Sequence, residues 1–419
     1  MLSSKRLTGG VALLASVFLP LSASAQRQGA ERARDLGVAF RGEPGPLNAI
    51  TDVAGVEVGH TTLISGSGPL RVGKGPVRTG VTAVLPRGRA STAPVFAGWS
   101  TLNAAGEMTG TVWLEERGLL DGPVVITNTH SVGVARDAAV GWMVDKGWAA
   151  PWHAPVVAET YDGVLNDING FHVTTAHVRQ ALDGARGGVV REGNVGGGTG
   201  MICHRFKGGI GTSSRIVRQG GRAFRVGVLV QCNYGDRAGL RIDGAPAGLL
   251  LKDKHLPCVT TGATAGATTG ATAGRPACPP APKAATTRGR DGSIIVVFAT
   301  DAPLLPHQLK RLSKRAGLGL GRMGSVAAAG SGDIFVAFST ANPELKSDQA
   351  GPAPVTMYAN DELTPLFEAT VDATEEAIVN AMVAADDMTG ANGVKVFALP
   401  HDEVRAITRR WRAAGQAAR

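Results

Sequence analysis

Gly292-Ser293-Ile294-Ile295-Val296-Val297-Phe298-Ala299-Thr300-Asp301 is the stretch from which the fold can be read. Eight apolar, β-branched or hydroxyl-bearing residues run between Gly292 and Asp301, which is the signature of a buried strand. Similar runs lie at 81–85, 123–127, 155–160, 226–232, 333–339 and 394–397, with a shorter strand and turn within 48–62. Apolar residues at helical spacing predict helices over 131–146, 171–182, 306–316, 365–385 and 403–411. Strands and helices come in runs, not in strict alternation. That grammar favours two packed sheets with helices outside over a Rossmann-type parallel sheet.

Composition bounds the rest. The 419 residues suffice for one large layered α/β (α+β) domain. Residues 1–25 read as a secretory signal peptide: Lys5 and Arg6, an apolar run from Gly9 to Leu21, and the small-residue site Ala23-Ser24-Ala25. The expected mature protein, 26–419, is periplasmic or secreted. The full chain's 43 Lys+Arg against 34 Asp+Glu give a net charge of +9. The basic residues are dispersed and aromatics make up only 5%, so neither nucleic acid nor membrane is the expected partner. Residues 259–291 break the pattern with a Thr/Gly/Ala repeat and then a Pro-rich segment. They cannot bury a core and are expected to form a disordered, exposed insertion that leaves Gly292-Ser293 close to solvent. The cysteines Cys203, Cys232, Cys258 and Cys278 form no CxxC pair, which argues against zinc. Export permits disulfides. A Cys258–Cys278 clasp is expected across the insertion, with Cys203 and Cys232 reduced on buried strands.

The chemistry begins at Ser293. A Ser after a Gly at the mouth of a buried strand suits a chain that cuts itself there, provided Gly292 adopts a strained conformation that other residues avoid. An N→O acyl shift and hydrolysis would free the α-amine of Ser293, which titrates near ~7.7–8.0 and can serve as the hydroxyl's own base. Ser331 and Asp333 begin another strand and share a face, by the period of two. They are candidates to relay a proton and hold an ammonium. Asn233 ends a strand and offers an amide to a developing oxyanion. Glu159 and Tyr161 flank another strand end. The first could bind a substrate's ammonium, and the second could donate to the intermediate. A turn Ser, a turn Asn or a surface Glu is ordinary on its own, so the weight lies in the coincidence. The run Gly193 to Gly200 lacks the Lys-Ser/Thr ending of a P-loop and reads as tight backbone packing. The nine His residues are scattered without HExxH, so no metal is expected.

Five blocks together resemble one family: Asn48 to His60, Gly193 to Gly211, Gly292 to Val297, Asp301 to Lys310 and Ser331 to Phe335. They resemble the DmpA-type aminopeptidases, the P1 peptidase family or L-aminopeptidase/D-esterase group, which includes the β-aminopeptidases. The resemblance runs from about residue 35 to the C-terminus. It implies a four-layer αββα sandwich and autoproteolysis at Gly292-Ser293 into 26–292 and 293–419. It also implies that Ser293 is the nucleophile, Ser331 and Asp333 its partners, Asn233 the oxyanion donor, Tyr161 its support and Glu159 the amine site. No cofactor and a homotetramer of processed units are implied, with small peptides, amides or esters as substrates. Asp333 stands where some relatives place Glu. An ornithine acetyltransferase-type enzyme is disfavoured because that class uses Thr as nucleophile. A D-amino-acid esterase or amidase is a rival enzyme class, and a secreted binding protein with a vestigial site is the non-enzyme rival.

Overall fold

The computed structural model describes residues 31–148, 150–260, 278–281, 292–348 and 350–417. The expected signal peptide, and the insertion apart from 259, 260 and 278–281, lie outside these residues.

Two sheets dominate. Glu57–Ser65, Val77–Leu85, Val124–Asn128 and Val156–Thr160 form a four-stranded sheet in that order. A six-stranded sheet runs Leu119–Leu120, Val95–Ala104, Gly332–Ser339, Ser293–Thr300, Arg222–Asn233, Gly209–Gln219. Three apolar cores separate four layers. Helices Val132–Asp145 and Thr175–Asp183 pack on the outer face of the four-stranded sheet through Trp142, Val178 and Leu182 against Val81, Val125 and Val157. Between the sheets lie Val84, Ile126 and Val156 against Leu229, Ile295, Val297, Ile334 and Val336. On the far side, Val228, Ile294, Val296, Phe298 and Phe335 meet helices Pro306–Ser313 and Thr364–Val383. The expected αββα sandwich is the observed fold.

The Ser293 strand shows why. Ile294, Val296 and Phe298 face the helices while Ile295, Val297 and Ala299 face the other sheet. Burying each large apolar side chain stabilises by on the order of 1.5–3 kcal/mol, so core packing holds the strand's register independently of the site at its mouth. It pairs parallel with the Asp333 strand and antiparallel with the Asn233 strand. The parallel pair needs a crossover, which helices Pro306–Ser313 and Ala316–Arg322 supply. A helix over 171–182 is corrected: Phe171 has φ 51°, and the helix starts at Thr175. The single helix over 306–316 divides in two. Two of the long strands, Val95–Ala104 and Gly209–Gln219, have no counterpart in the sequence pattern, nor do the two-residue strands such as Leu119–Leu120.

The cysteines require a second correction. Cys258 pairs with Cys278, Cα–Cα 5.6 Å. Cys203 and Cys232, expected to stay reduced, also form a disulfide, with Cα–Cα 5.6 Å. Cys203 lies in the small hairpin Ile202–Cys203/Phe206–Lys207, which folds back on the Asn233 strand. Sequence distance hid that proximity.

Candidate active site

Ser293 opens its strand opposite Gly332 on one side and Asn233 on the other. Strand alternation turns Asn233 to the inter-sheet side with Leu229, and Ser293 to the same side with Ile295. A Cβ at Gly332 would stand 2.9 Å from Ser293 Oγ, so position 332 also faces the hydroxyl. The Gly332 N–H donates to the Gly292 carbonyl oxygen at 3.1 Å and to Ser293 Oγ at 3.2 Å. One donor thus touches both the hydroxyl and the carbonyl of the peptide bond preceding it.

Gly292 is needed for a reason other than the one inferred from sequence. Its φ lies outside the left-handed region. The requirement is space: a Cβ there would sit 2.1 Å from the Asn233 carbonyl oxygen and 2.7 Å from Tyr234 Cα. The junction is open to solvent only on one side: Gly292 is half-buried, while Ser293 is 6% exposed.

Ser331 and Asp333 share a face, as their spacing requires, and Ser331 Oγ donates to Asp333 Oδ1 at 2.7 Å. That face is the helix side, opposite to the Ser293 hydroxyl, where Tyr234 is also buried. Burial pushes the Asp333 carboxyl up to about 6, against the opposing pull of the Ser331 hydroxyl. Burial, and then the charge of Asp333, hold the Tyr234 phenol well above its ordinary value.

The Asn233 amide is fixed at both ends. Its Oδ1 accepts from the Ile202 N–H at 2.8 Å and its Nδ2 donates to the Tyr161 carbonyl at 2.9 Å. One Nδ2 hydrogen remains to point elsewhere. Tyr161 supports Asn233 through its backbone, while its phenol folds over Gly163.

Glu159 reaches the site from the other sheet. Its carboxylate accepts from the Glu107 N–H at 3.0 Å and from the Thr129 hydroxyl. Burial raises its proton affinity, partly offset by those two donors. Gly106 lies between: a Cβ there would be 3.1 Å from Glu159 Oε1 and 3.4 Å from Gly332 Cα. The bare backbone of Gly106 lets the carboxylate approach the Ser293 neighbourhood. The Gly-rich run packs against strand ends; a Cβ at Gly197 would meet Gln231 Oε1 at 2.1 Å. Sequence reasoning missed the Gly332 N–H, Gly106 and Thr129. The first was visible only as the middle residue of Ser331-Gly332-Asp333.

The constellation is a buried hydroxyl, a donor shared with the preceding carbonyl, a fixed amide and two carboxyls of raised proton affinity. It can support nucleophilic attack on a carbonyl with oxyanion stabilisation. The profile of Peptidase family S58 matches residues 48–396. Beta-peptidyl aminopeptidase BapA of Sphingosinicella microcystinivorans is 59% identical over 96% of this chain and 97% of its own. The protein of the same name from Sphingosinicella xenopeptidilytica is 47% identical over 97% and 98%. Among solved structures, the L-aminopeptidase D-Ala-esterase/amidase of Ochrobactrum anthropi superposes with TM-score 0.78 at 47% identity, covering 91% of this chain and 98% of its own. It is described as a prototype for the serine aminopeptidases and a variant of the Ntn hydrolase fold. A Burkholderia β-aminopeptidase gives TM-score 0.77 at 45% identity over 91% and 99%.

Proposed function

This chain belongs to peptidase family S58 and is an aminopeptidase, and from that premise we propose that it is a self-processing serine enzyme that releases N-terminal β-amino residues from short peptides, amides or esters. The observation that carries the reading is the Gly332 N–H shared between the Gly292 carbonyl and Ser293 Oγ.

In processing, Ser293 Oγ attacks the Gly292 carbonyl carbon. The Gly332 N–H faces the oxygen on which charge develops. The C–N bond breaks, its nitrogen takes a proton, and an ester joins Gly292 to Ser293. Water hydrolyses the ester, leaving chains 26–292 and 293–419 and a free Ser293 amine. In turnover that amine accepts the hydroxyl proton as Oγ attacks the substrate carbonyl. Gly332 N–H and the remaining Asn233 Nδ2 hydrogen meet the oxyanion. The proton passes to the leaving amine, and water then releases the acyl group. Ser331 and Asp333 hold the Ser293 ammonium from the helix face, and Glu159 holds the substrate's ammonium. The β-amino preference rests on the names of the two BapA relatives. Export past 1–25 and assembly of processed units into a tetramer complete the proposal.

Intact-mass measurement tests the processing step. Wild type is expected as two chains, Ser293→Ala as one, with no detectable turnover. A Ser293→Ala protein still split at 292/293 refutes self-cleavage. Rates on β-alanine, L-alanine and D-alanine p-nitroanilides, each with its N-acetyl form, test the substrate class. Equal rates with and without the acetyl group exclude an aminopeptidase. A D-alanine preference favours a D-amino-acid esterase or amidase.

A further inference from the structure

We propose that the Cys203–Cys232 disulfide is a positioning element for Asn233, setting the rate of turnover and not the affinity for substrate. The inference rests on the reading of Asn233 as an oxyanion donor.

Cys232 immediately precedes Asn233, and its bridge joins it to the hairpin that holds the Asn233 side chain. The two residues flanking Cys203 make the other ties. Ile202 N–H donates to Asn233 Oδ1 at 2.8 Å, and His204 N–H donates to the Tyr234 carbonyl at 2.7 Å. Three consecutive hairpin residues therefore grip three consecutive residues, Cys232 to Tyr234, the covalent tie joining the central hairpin residue to the first of the three. Both cysteines are fully buried on the helix side, beneath the inter-sheet face that carries Ser293 and Asn233.

The hairpin turn has reason to relax without the bridge. His204 and Arg205 have φ of 48° and 59°, a left-handed conformation that side chains other than glycine disfavour. Arg237 also holds the turn, donating to the His204 carbonyl at 3.0 Å and the Arg205 carbonyl at 2.7 Å. Arg237 grips the turn but not the Ile202 side of the hairpin. The disulfide carries the constraint through to Ile202, and so to the direction in which Asn233 presents its free N–H. A displacement of about 1 Å at such a donor can cost on the order of 10²-fold in rate. Groups that meet only the oxyanion affect kcat more than KM.

The test compares Cys203→Ala/Cys232→Val, whose apolar side chains refill the site, with Cys258→Ser/Cys278→Ser and with Asn233→Ala. The expected result is a fall in kcat of at least about tenfold for the first variant, with KM within about twofold, and no such fall for the second. A Cys203→Ala/Cys232→Val enzyme with normal kcat beside a slow Asn233→Ala enzyme overturns the positioning role. A normal Asn233→Ala enzyme overturns the reading on which it rests. If the first variant does not fold, wild type is reduced in sub-denaturing urea by dithiothreitol. The dithiol gives up two electrons and two protons, becomes its cyclic disulfide and leaves two cysteine thiols. The lost kcat should return on reoxidation. Unchanged kcat with both thiols alkylated, or free thiols at Cys203 and Cys232 in the exported native protein, rejects the proposal.

Discussion

At the mouth of the Ser293 strand, the two faces of one sheet carry different chemistry. The inter-sheet face presents the Ser293 hydroxyl and the Asn233 amide, with the Gly332 position bare between the sheets. The helix face presents the Ser331–Asp333 pair, Tyr234 and the Cys203–Cys232 bridge. Hydrogen bonds of the main chain lie in the sheet plane between them. The Ser293 hydroxyl and the Asp333 carboxyl therefore lie on opposite faces of one sheet. On the proposed roles, strand alternation, which normally sorts core from solvent, sorts substrate handling from the handling of the nucleophile's amine.

The division makes separable predictions. The largest effect concerns the inter-sheet face. Asn233→Ala should lower kcat by roughly 10²–10³, the usual loss for one oxyanion donor, in a protein whose circular dichroism is unchanged. Glu159→Gln keeps the shape of the group but removes its charge. It should lower kcat/KM by roughly 10–100-fold, the range expected for a charge-assisted hydrogen bond, and mainly through KM. An unchanged KM would detach Glu159 from the substrate ammonium.

On the helix face, Asp333→Asn should lower kcat by about tenfold and move the acid limb of the pH–rate profile to lower pH. The sign follows from charge: a carboxylate favours the Ser293 ammonium, so its removal lowers that amine's pKa. In the unprocessed Ser293→Ala chain a second sign applies. Burial raises the Asp333 pKa to about 6 from 3.8, so with Asp333 in place stability is fully present below 3.8 and is lost as pH rises from there through 6. Asp333→Asn should therefore raise Tm more at pH 7.5 than at pH 4.5. Should Asn233→Ala and Asp333→Asn instead shift the same part of the pH profile, the two faces do not divide the work.

The smallest effect on turnover belongs to Cys258→Ser/Cys278→Ser, which touches neither face. Activity should stay within about twofold. Unfolding should become easier by at most ~3 kcal/mol, the scale for closing a loop with a sequence separation of 20. A large loss of kcat would tie the insertion to the site.

Local pattern carried much of this. The strand Ser293–Thr300 has the limits expected from its composition, and the shared face of Ser331 and Asp333 follows from the period of two. Both are consequences of backbone geometry within a few residues. The strand Gly209–Gln219 shows where that logic stops. Its Thr212, Ser213, Ser214 and Arg215 look like surface sequence, yet all four are buried. Each is buried with a partner far along the chain: Thr212 Oγ1 accepts from the Ile50 N–H, Ser213 Oγ donates to the Ala373 carbonyl, and Ser214 Oγ donates to Asp52. Arg215 pairs with Glu376 at 2.7 Å. Burying a polar group is tolerated when it is hydrogen-bonded, and nothing in a local window reveals a partner more than a hundred residues away.

The site divides along the same line. Residue identity and spacing nominated Ser293, Asn233, Glu159, Tyr161, Ser331 and Asp333, because nucleophile, amide and carboxylate at strand ends have few structural reasons to recur together. Which face each group occupies, the anchoring of Asn233 by the Tyr161 carbonyl, the crowding that demands Gly292 and the bridging of Cys203 to Cys232 were decided by tertiary structure. Those features depend on distances between chain segments that only the packing of two sheets brings together.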